Sequence, residues 1–329
     1  MHLLITGAAG YIGSVVAEQA VAAGHEVTVL DNLANGSRAA IPQECRFLEG
    51  DIGDARQVDL AFGARPVDAV VHLAADAAIA PSMTDPARFF DTNLVKGLSL
   101  LDAMTRYRVQ RLVFSSTAAV YGEPGRLPIT EEHPLSPVNA YGESKYLFER
   151  CLAWYHRAYG LTAIAFRYFN AAGASASRGE HRAEESHLIP LALDVALGRR
   201  DLLEVYGDDY PTRDGSCVRD YVHVADIGAA HLRAIAALDR VGFGCFNLGS
   251  GTGHTVLEVI EAVRRVTGHP VPTRVRPRRP GDPASLVASP RRAEEVLHWQ
   301  PERSSLHQIV ESAWRWRLAH PHGYGHVYA

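Results

Sequence analysis

The sequence has little cysteine, almost no lysine and no long apolar run, and each shortage excludes something. Its four cysteines, Cys45, Cys151, Cys217 and Cys245, stand far apart with no C-x-x-C pair. That spacing argues against a disulfide scaffold or a thiolate zinc site, and scattered thiols suit a reducing, cytoplasmic setting. No stretch approaches the roughly 20 apolar residues of a membrane helix. The opening His2–Gly7 lacks the basic lead and long apolar stretch of an export signal. A formal net charge of −4 argues against a dedicated nucleic-acid binder, whose domain is usually strongly basic. Of 33 basic residues only Lys96 and Lys145 are lysines. Where arginine serves nearly everywhere else, a retained lysine invites the question of why arginine would not do. Histidine is plentiful, and His320, His322 and His326 cluster near the end. They read as a solvated tail, because no helical His pair with a carboxylate partner accompanies them; no metal is expected.

With 329 residues, 47% of them hydrophobic, the chain can bury a large α/β core. Short apolar runs at His2–Thr6, Glu26–Leu30, Ala69–Ala74, Arg111–Ser115 and Thr162–Arg167 read as buried strands. Ile12–Ala23, Pro86–Arg108 and Tyr141–Tyr159 carry helical spacing between them. This alternation predicts an α/β fold with a doubly wound parallel sheet. After about Ala171 glycine, proline and loop signals multiply, and Thr255–Thr267 reads as a short helix. Residues 1–170 are therefore expected to form one domain and 171–329 a smaller, substrate-binding α/β domain. A return of the chain to the first domain around 219–250 is left open, with Cys245–Leu248 as the candidate late strand there.

Two motifs carry chemistry. In Thr6-Gly7-Ala8-Ala9-Gly10-Tyr11-Ile12-Gly13, placed between a strand and a helix, Gly7 permits a tight turn and Gly10 lets a pyrophosphate approach the backbone. Gly13 lets the helix lie close on the strand. Asp31, ending the next strand, is placed to bind a ribose hydroxyl pair and would repel a 2′-phosphate, which favours NAD over NADP. The second motif joins the strand end Phe114-Ser115-Ser116-Thr117 to Tyr141-Gly142-Glu143-Ser144-Lys145. Y-x-x-x-K puts phenol and ammonium one turn apart on a helix. A nearby ammonium favours phenolate, which draws the tyrosine towards the working range of a general base.

Together these motifs resemble those of the extended short-chain dehydrogenase/reductases, a Rossmann-type fold, and within them the UDP-glucose (UDP-galactose) 4-epimerases. The resemblance runs almost end to end. It includes Arg167–Ala174, Tyr206–Thr212, Cys217–Val224, Arg278–Asp282 and the ending His320–Tyr324. It implies that Tyr141, Lys145 and Thr117 are catalytic. It also implies an NAD site made by Gly7, Gly10, Tyr11, Ile12, Gly13, Asp31, Asn32, Leu33, Asn35, Gly36, Asp51 and Ile52, continued by Leu73, Ala74, Ala75, Ala77, Asn93, Thr117, Tyr141, Lys145 and Phe169. Asn170, His187, Leu188, Glu204, Val205, Tyr206, Arg219, Arg279, Asp282 and Leu286 would join Thr117 and Tyr141 in holding a UDP-sugar. The implied reaction interconverts UDP-galactose and UDP-glucose through a 4-keto sugar, in a homodimer joined by the helices Pro86–Arg108 and Tyr141–Tyr159.

The chain departs from that pattern in places. Asp76–Ser82 stands where many relatives carry a lysine and then Gly-Glu-Ser, and His187 stands where asparagine is common. Leu286 occupies the position of a bulky tyrosine that gates the sugar pocket in some relatives, and a smaller residue could admit an N-acetyl group. C4 epimerisation of a UDP-N-acetylhexosamine, UDP-uronate or UDP-pentose is the alternative reading. A 4,6-dehydratase would need Asp-Glu after Thr117, where this chain has Ala118 and Ala119. A catalytically inactive NAD-binding scaffold would predict loss of Thr117, Tyr141 or Lys145, and all three are present.

Overall fold

The computed structural model describes residues 1–182, 184–279 and 282–325. Pro280, Gly281 and His326, which figure in the sequence motifs, lie outside the described residues.

The first half contributes β1 (His2–Thr6), β2 (Glu26–Asp31), β3 (Arg46–Glu49), β4 (Ala69–His72), β5 (Arg111–Thr117) and β6 (Thr162–Tyr168). Between them run α1 (Tyr11–Ala22), α2 (Ala55–Gly63), α3 (Ile79–Thr84), α4 (Pro86–Phe90), α5 (Lys96–Arg106) and α6 (Ala140–Tyr159). The second half adds β7 (Asn170–Ala172), α7 (Leu188–Ala196), β8 (Leu203–Tyr206), β9 (Val218–His223), α8 (Val224–Val241) and β10 (Phe243–Leu248). It ends with β11 (Gly253–Thr255), α9 (Val256–Thr267), β12 (Thr273–Arg276), β13 (Ser285–Leu286), α10 (Arg291–Leu297) and α11 (Leu306–Ala319).

Seven parallel strands form the main sheet in the order β10-β6-β5-β4-β1-β2-β3. Its middle strands are apolar on both faces because helices cover both. Leu3 and Ile5 of β1 enter a core with Val16 of α1 and Ile227, Ala230 and Leu238 of α8. Leu4, between them, points the other way, to Val58, Leu100, Leu101 and Phe148 of α2, α5 and α6. Each such leucine, fully buried, contributes roughly 1.5–3 kcal/mol. The strand order reverses between β1 and β4, and the crevice at that switch point is where a doubly wound sheet binds ligands.

Several elements differ from the sequence expectation. Pro86–Arg108 is not one helix: a π-helical turn at Asp91–Val95 separates α4 from α5. The extra residue turns Asn93 inward, where its amide bonds Asp76 and Ser144, and such π-turns recur at functional sites. β4 ends at His72 rather than Ala74, because the next residues leave the ladder to meet the Gly7 turn. β3 and α2 were not among the expected elements; α2 buries Val58, Ala61 and Phe62 at helical spacing and is started by Asp54, whose side chain accepts from the N–H groups of Arg56 and Gln57. The helix that carries the Y-x-x-x-K motif is sharply bounded. Asn139 caps its start with a 2.8 Å bond from Gly142 N–H, and Gly160, in the left-handed region, ends it.

In the second half β9 pairs with β7, β11 and β13, and β8 pairs with β12. Ile189, Leu193, Val259, Val263, Ile309 and Val310 fill the core between α7, α9 and α11. β10, late in the chain, pairs with β6 from Phe243↔Ala163 to Leu248↔Tyr168 and so belongs to the main sheet.

Candidate active site

The glycine turn packs too tightly for any other residue. Gly7 has φ +78°, and a Cβ there would lie 2.4 Å from the Ala74 nitrogen; one on Gly13 would lie 2.2 Å from the Gly7 oxygen. A Cβ on Gly10 would meet only the Gly7 oxygen, at 3.4 Å, so the outer face of that backbone is open. Gly10 is also the N-cap of α1 and offers no capping side chain, and the first turn holds no acidic residue. The first-turn N–H groups and the positive end of the helix dipole thus face the open side, an arrangement suited to a pyrophosphate.

Asp31 closes β2 beside this turn. Its two carboxylate oxygens each accept one backbone N–H at 2.9 Å, from Ala9 and Leu33, which leaves lone pairs for a hydroxyl pair. Burial pushes its pKa up, and the two N–H bonds oppose that rise. Asn32 donates to Asp51, which also takes the Lys96 ammonium at 3.0 Å and the Gly53 N–H at 2.8 Å. Burial works to raise Asp51, but those donors outweigh it and hold the carboxyl below its usual range. Ile52 is buried beneath this rim, and Leu73 packs on the core around Leu3 while Ala74 packs on the opposite one.

The Asp76 segment has an ordered place in the groove. Asp76 is buried, takes a two-pronged bond from Arg88 at 2.7 and 2.8 Å, and accepts from Asn35 at 3.0 Å. Its main chain is gripped at both ends by Asn93. Asp76 therefore ties the Asn35 loop and α4 through its carboxylate and the π-turn through its main chain. Ala75 is half-buried and Ala77 exposed. This glycine turn, with the Asp31 carboxylate beside it and the ordered groove, fits a dinucleotide.

Thr117, Tyr141 and Lys145 meet at the end of β5. Thr117 is buried, accepts the Ala119 N–H at 3.1 Å and hydrogen-bonds the Tyr141 phenol. The electrostatics differ from the sequence expectation. Burial pushes Tyr141 up; the groups that draw it down are the Thr117 hydroxyl and the Arg182 guanidinium, not Lys145. The Lys145 ammonium instead donates to the Ser115 carbonyl at 2.8 Å and sits 4.8 Å from the Phe114 ring centre. Burial lowers its pKa to about 7, with Glu149 acting against the fall. His72, behind it, is driven to about 3 by burial and by that lysine, and is neutral. Phe169 is buried nearby with Ala118, Val120 and Tyr121.

The remaining sequence-assigned residues lie in the second half. Asn170 opens β7 opposite Tyr221 of β9, and Leu286 pairs with Arg219 in β13. Arg219 is buried; it donates to the Val218 and Pro283 carbonyls and to Asp282. Arg279 lies 3.8 Å over the Tyr206 ring. Glu204 is engaged by Arg276 and the Tyr206 hydroxyl, whereas the Val205 side chain is in the core, so only its backbone can face a ligand. His187 is the N-cap of α7, ahead of Leu188, with its ring 2.6 Å from Glu180. Tyr11 bonds the Gly173 carbonyl at 2.6 Å and so joins the glycine turn to this half.

Glu180, Glu185 and His187 bring donor atoms within 4.8 Å of one another. Arg182 bonds Glu180 at 2.8 Å, and Arg317 lies 3.8 Å from Glu185. Two guanidinium charges thus already balance the carboxylates and oppose a metal cation. Sequence reasoning missed Asp76, Arg88, Glu149, Arg167, Glu180 and Arg182. Only Glu149 left a readable signal, four residues after Lys145 on the same helical face.

Comparison with known proteins agrees with this geometry. Residues 3–249 match the NAD dependent epimerase/dehydratase family. A UDP-glucose 4-epimerase of Halalkalibacterium halodurans is 47% identical over 327 residues, 98% of each chain. A crystal structure of a UDP-glucose 4-epimerase superposes with a TM-score of 0.96 at 44% identity, covering 99% of this chain and all of that one. The UDP-glucose 4-epimerase of Bifidobacterium longum, solved in complex with NAD+ and UDP, superposes with a TM-score of 0.93 at 36% identity, covering 98% of this chain and 100% of that one.

Proposed function

Because the chain belongs to the NAD dependent epimerase/dehydratase family, we propose that it interconverts UDP-galactose and UDP-glucose by oxidising C4 of the sugar and reducing it again from the opposite face. The observation that carries this reading is the meeting of buried Thr117 and Lys145 with half-buried Tyr141 at the end of β5. Bound NAD supplies the hydride acceptor and donor. Tyr141 takes the 4-hydroxyl proton and returns it. Thr117 bonds the same oxygen, and Lys145 holds the nearby ribose while adding positive charge. Arg219 and Arg279 meet the diphosphate, for which guanidinium forks are suited, with Asp282 orienting Arg219. Asn170, His187, Leu188 and the strand Glu204–Tyr206 complete the nucleotide pocket. We take residues 1–170 as the cofactor half and 171–329 as the sugar half, with α8 and β10 belonging to the first.

Purified protein incubated with UDP-galactose and no added NAD is expected to yield a stable mixture with UDP-glucose, measured by chromatography. No conversion, even with NAD supplied, sinks the assignment. Leu286 is half-buried against the Val120–Phe169 cluster and offers an apolar wall in place of a phenol. That favours a wider sugar range, and turnover of UDP-N-acetylglucosamine tests it. Ala118 and Ala119 supply no acid for dehydration.

The protein is further assigned as a homodimer joined through α4, α5 and α6. Met83, Val95, Trp154 and Tyr159, on or beside those helices, are each more than half exposed. A monomer in sedimentation at micromolar concentration overturns this. No helix among the described residues is long and apolar enough to cross a membrane. The four free thiols suit a reducing compartment, and we assign the protein to the cytoplasm.

A further inference from the structure

Beneath the catalytic trio lies a charged network that the proposed chemistry does not use. Ser116 and Arg167 face each other across β5 and β6, and both reach up to Glu149 of α6. Ser116 donates to Glu149 Oε1 at 2.5 Å. The Arg167 fork donates from Nε to Oε1 at 3.1 Å and from Nη2 to Oε2 at 2.7 Å. The remaining Arg167 nitrogen donates to the Tyr121 hydroxyl at 2.9 Å, which donates to Asn247 of β10 at 2.7 Å. The Cys245 thiol, 3.6 Å from Glu149 Oε2, is pushed up to about 12 by burial and by that carboxylate, and stays protonated.

The side chains of Glu149 and Arg167 are 4% and 5% exposed. Burying an ion pair this deeply costs so much desolvation that apolar residues of equal volume are often as stable. Stability alone therefore does not account for it, and its position does. Ser116 precedes Thr117 in β5, and Glu149 follows Lys145 by one helical turn.

We propose that Glu149 is a positioning residue: clamped by Ser116 and Arg167, it locks the helix bearing Tyr141 and Lys145 to the strand ending at Thr117, and its carboxylate, one helical turn from Lys145, favours the ammonium form of that lysine. The inference rests on the function proposed above for those three residues. Among the described residues no other group around Lys145 brings a standing negative charge. His72 on β4 is neutral, Ser115 and Phe114 on β5 offer a carbonyl and a ring, and burial raises the Tyr141 phenol on α6 while the Thr117 hydroxyl and Arg182 draw it down. Around Glu149 itself stand Ser116, Arg167 and the Cys245 thiol, with Tyr121 beyond the guanidinium and Glu131 beyond Tyr121.

Having two lysines makes the test direct. Protein labelled with 13Cε-lysine gives two side-chain resonances, and Lys96→Arg assigns them. In wild type the Lys145 resonance titrates well below that of Lys96. In Glu149→Gln its midpoint falls by about one pH unit or more, the effect of removing one opposite charge at short range. The alkaline limb of kcat for UDP-galactose moves to lower pH with it, while KM at the optimum changes less than kcat. Should the single variant not fold, Glu149→Met/Arg167→Met removes both charges at matched volume; loss of the Arg167 cation offsets part of the effect, so the Lys145 midpoint falls by less than in Glu149→Gln. A Lys145 midpoint unmoved in either folded variant overturns the proposal. The titration needs no turnover, so a shifted lysine in a protein inactive on every UDP-sugar would refute the proposed function and leave this inference standing.

Discussion

The two sides of the site are built from different materials. On the sheet side Asp31, Thr117, Lys145 and Asn93 are all buried, and each is held by main-chain groups or neutral side chains over short, fixed distances. On the other side the groups are arginines paired with carboxylates: Arg276 with Glu204 and Arg278 with Asp209 at partial exposure, and the more deeply set Arg219 with a partly exposed Asp282. A pair of that kind is a modest contributor while solvated, and its guanidinium can turn from a carboxylate to a phosphate with little net cost. The sheet side is therefore set before a ligand arrives, and the arginine side is set by the ligand. Substitutions on the first should alter kcat or cofactor retention, and substitutions on the second KM.

The sharpest break comes at Tyr141. Tyr141→Phe is expected to lower kcat by ~10²–10⁴-fold, the usual worth of a positioned acid–base group, with KM for UDP-galactose little altered; an active variant would remove Tyr141 from the chemistry. Next, Arg219→Met should raise KM by ~10–100-fold, as charge-assisted hydrogen bonds contribute ~1.5–3 kcal/mol, and leave kcat near wild type. A collapse of kcat instead would erase the division between the two sides. Asp31→Asn should weaken NAD retention by about tenfold, read as cofactor lost on gel filtration.

Smaller effects sharpen the contrast. Glu180 and His187 form an interacting titrating pair on the arginine side. Glu180, its own burial notwithstanding, is held at about 2 by His187 and Arg182, and Glu180 raises His187 above 6.5. A raised histidine stabilises below its unfolded pKa and loses that contribution as pH climbs through the folded value. A depressed carboxylate stabilises above its unfolded pKa and loses that as pH falls towards about 2. The pair is thus strongest between 4.5 and 6.5, and Glu180→Gln should flatten the thermal stability profile there and lower the His187 midpoint in NMR. Least of all, Arg65→Ala removes an exposed partner of Glu26 and should change stability by less than ~1 kcal/mol in urea unfolding.

What the sequence disclosed follows the same division. The strands around Leu3-Leu4-Ile5 were legible because burial on both faces leaves a continuous apolar run. Asp31 and the Y-x-x-x-K pair were legible as short local patterns, a carboxylate ending the strand after the glycine turn and two residues one helical turn apart, although their hydrogen-bond partners are distant in sequence. Arg182 was not, since it meets Tyr141 only through tertiary folding, and the expectation that Lys145 sets the tyrosine overlooked how strongly burial acts on both. Asp76 looked like a departure and proved a tether, because Arg88 and Asn35 come to it from different loops. The break at Asn93 followed no hydrophobic period, being dictated by hydrogen bonds to main chain and Ser144.

β10 also shapes how the protein is made. The outer edge of β6 has no partner until Phe243–Leu248 have left the ribosome. At ~5–20 residues per second that is several seconds after Tyr168 emerges. During synthesis the nascent chain carries an unprotected apolar strand, Thr162–Tyr168, with the open N–H and C=O row that recruits other chains. A truncation anywhere before Phe243 would make that interval permanent, so fragments of the cofactor half are destined for aggregation or for chaperones.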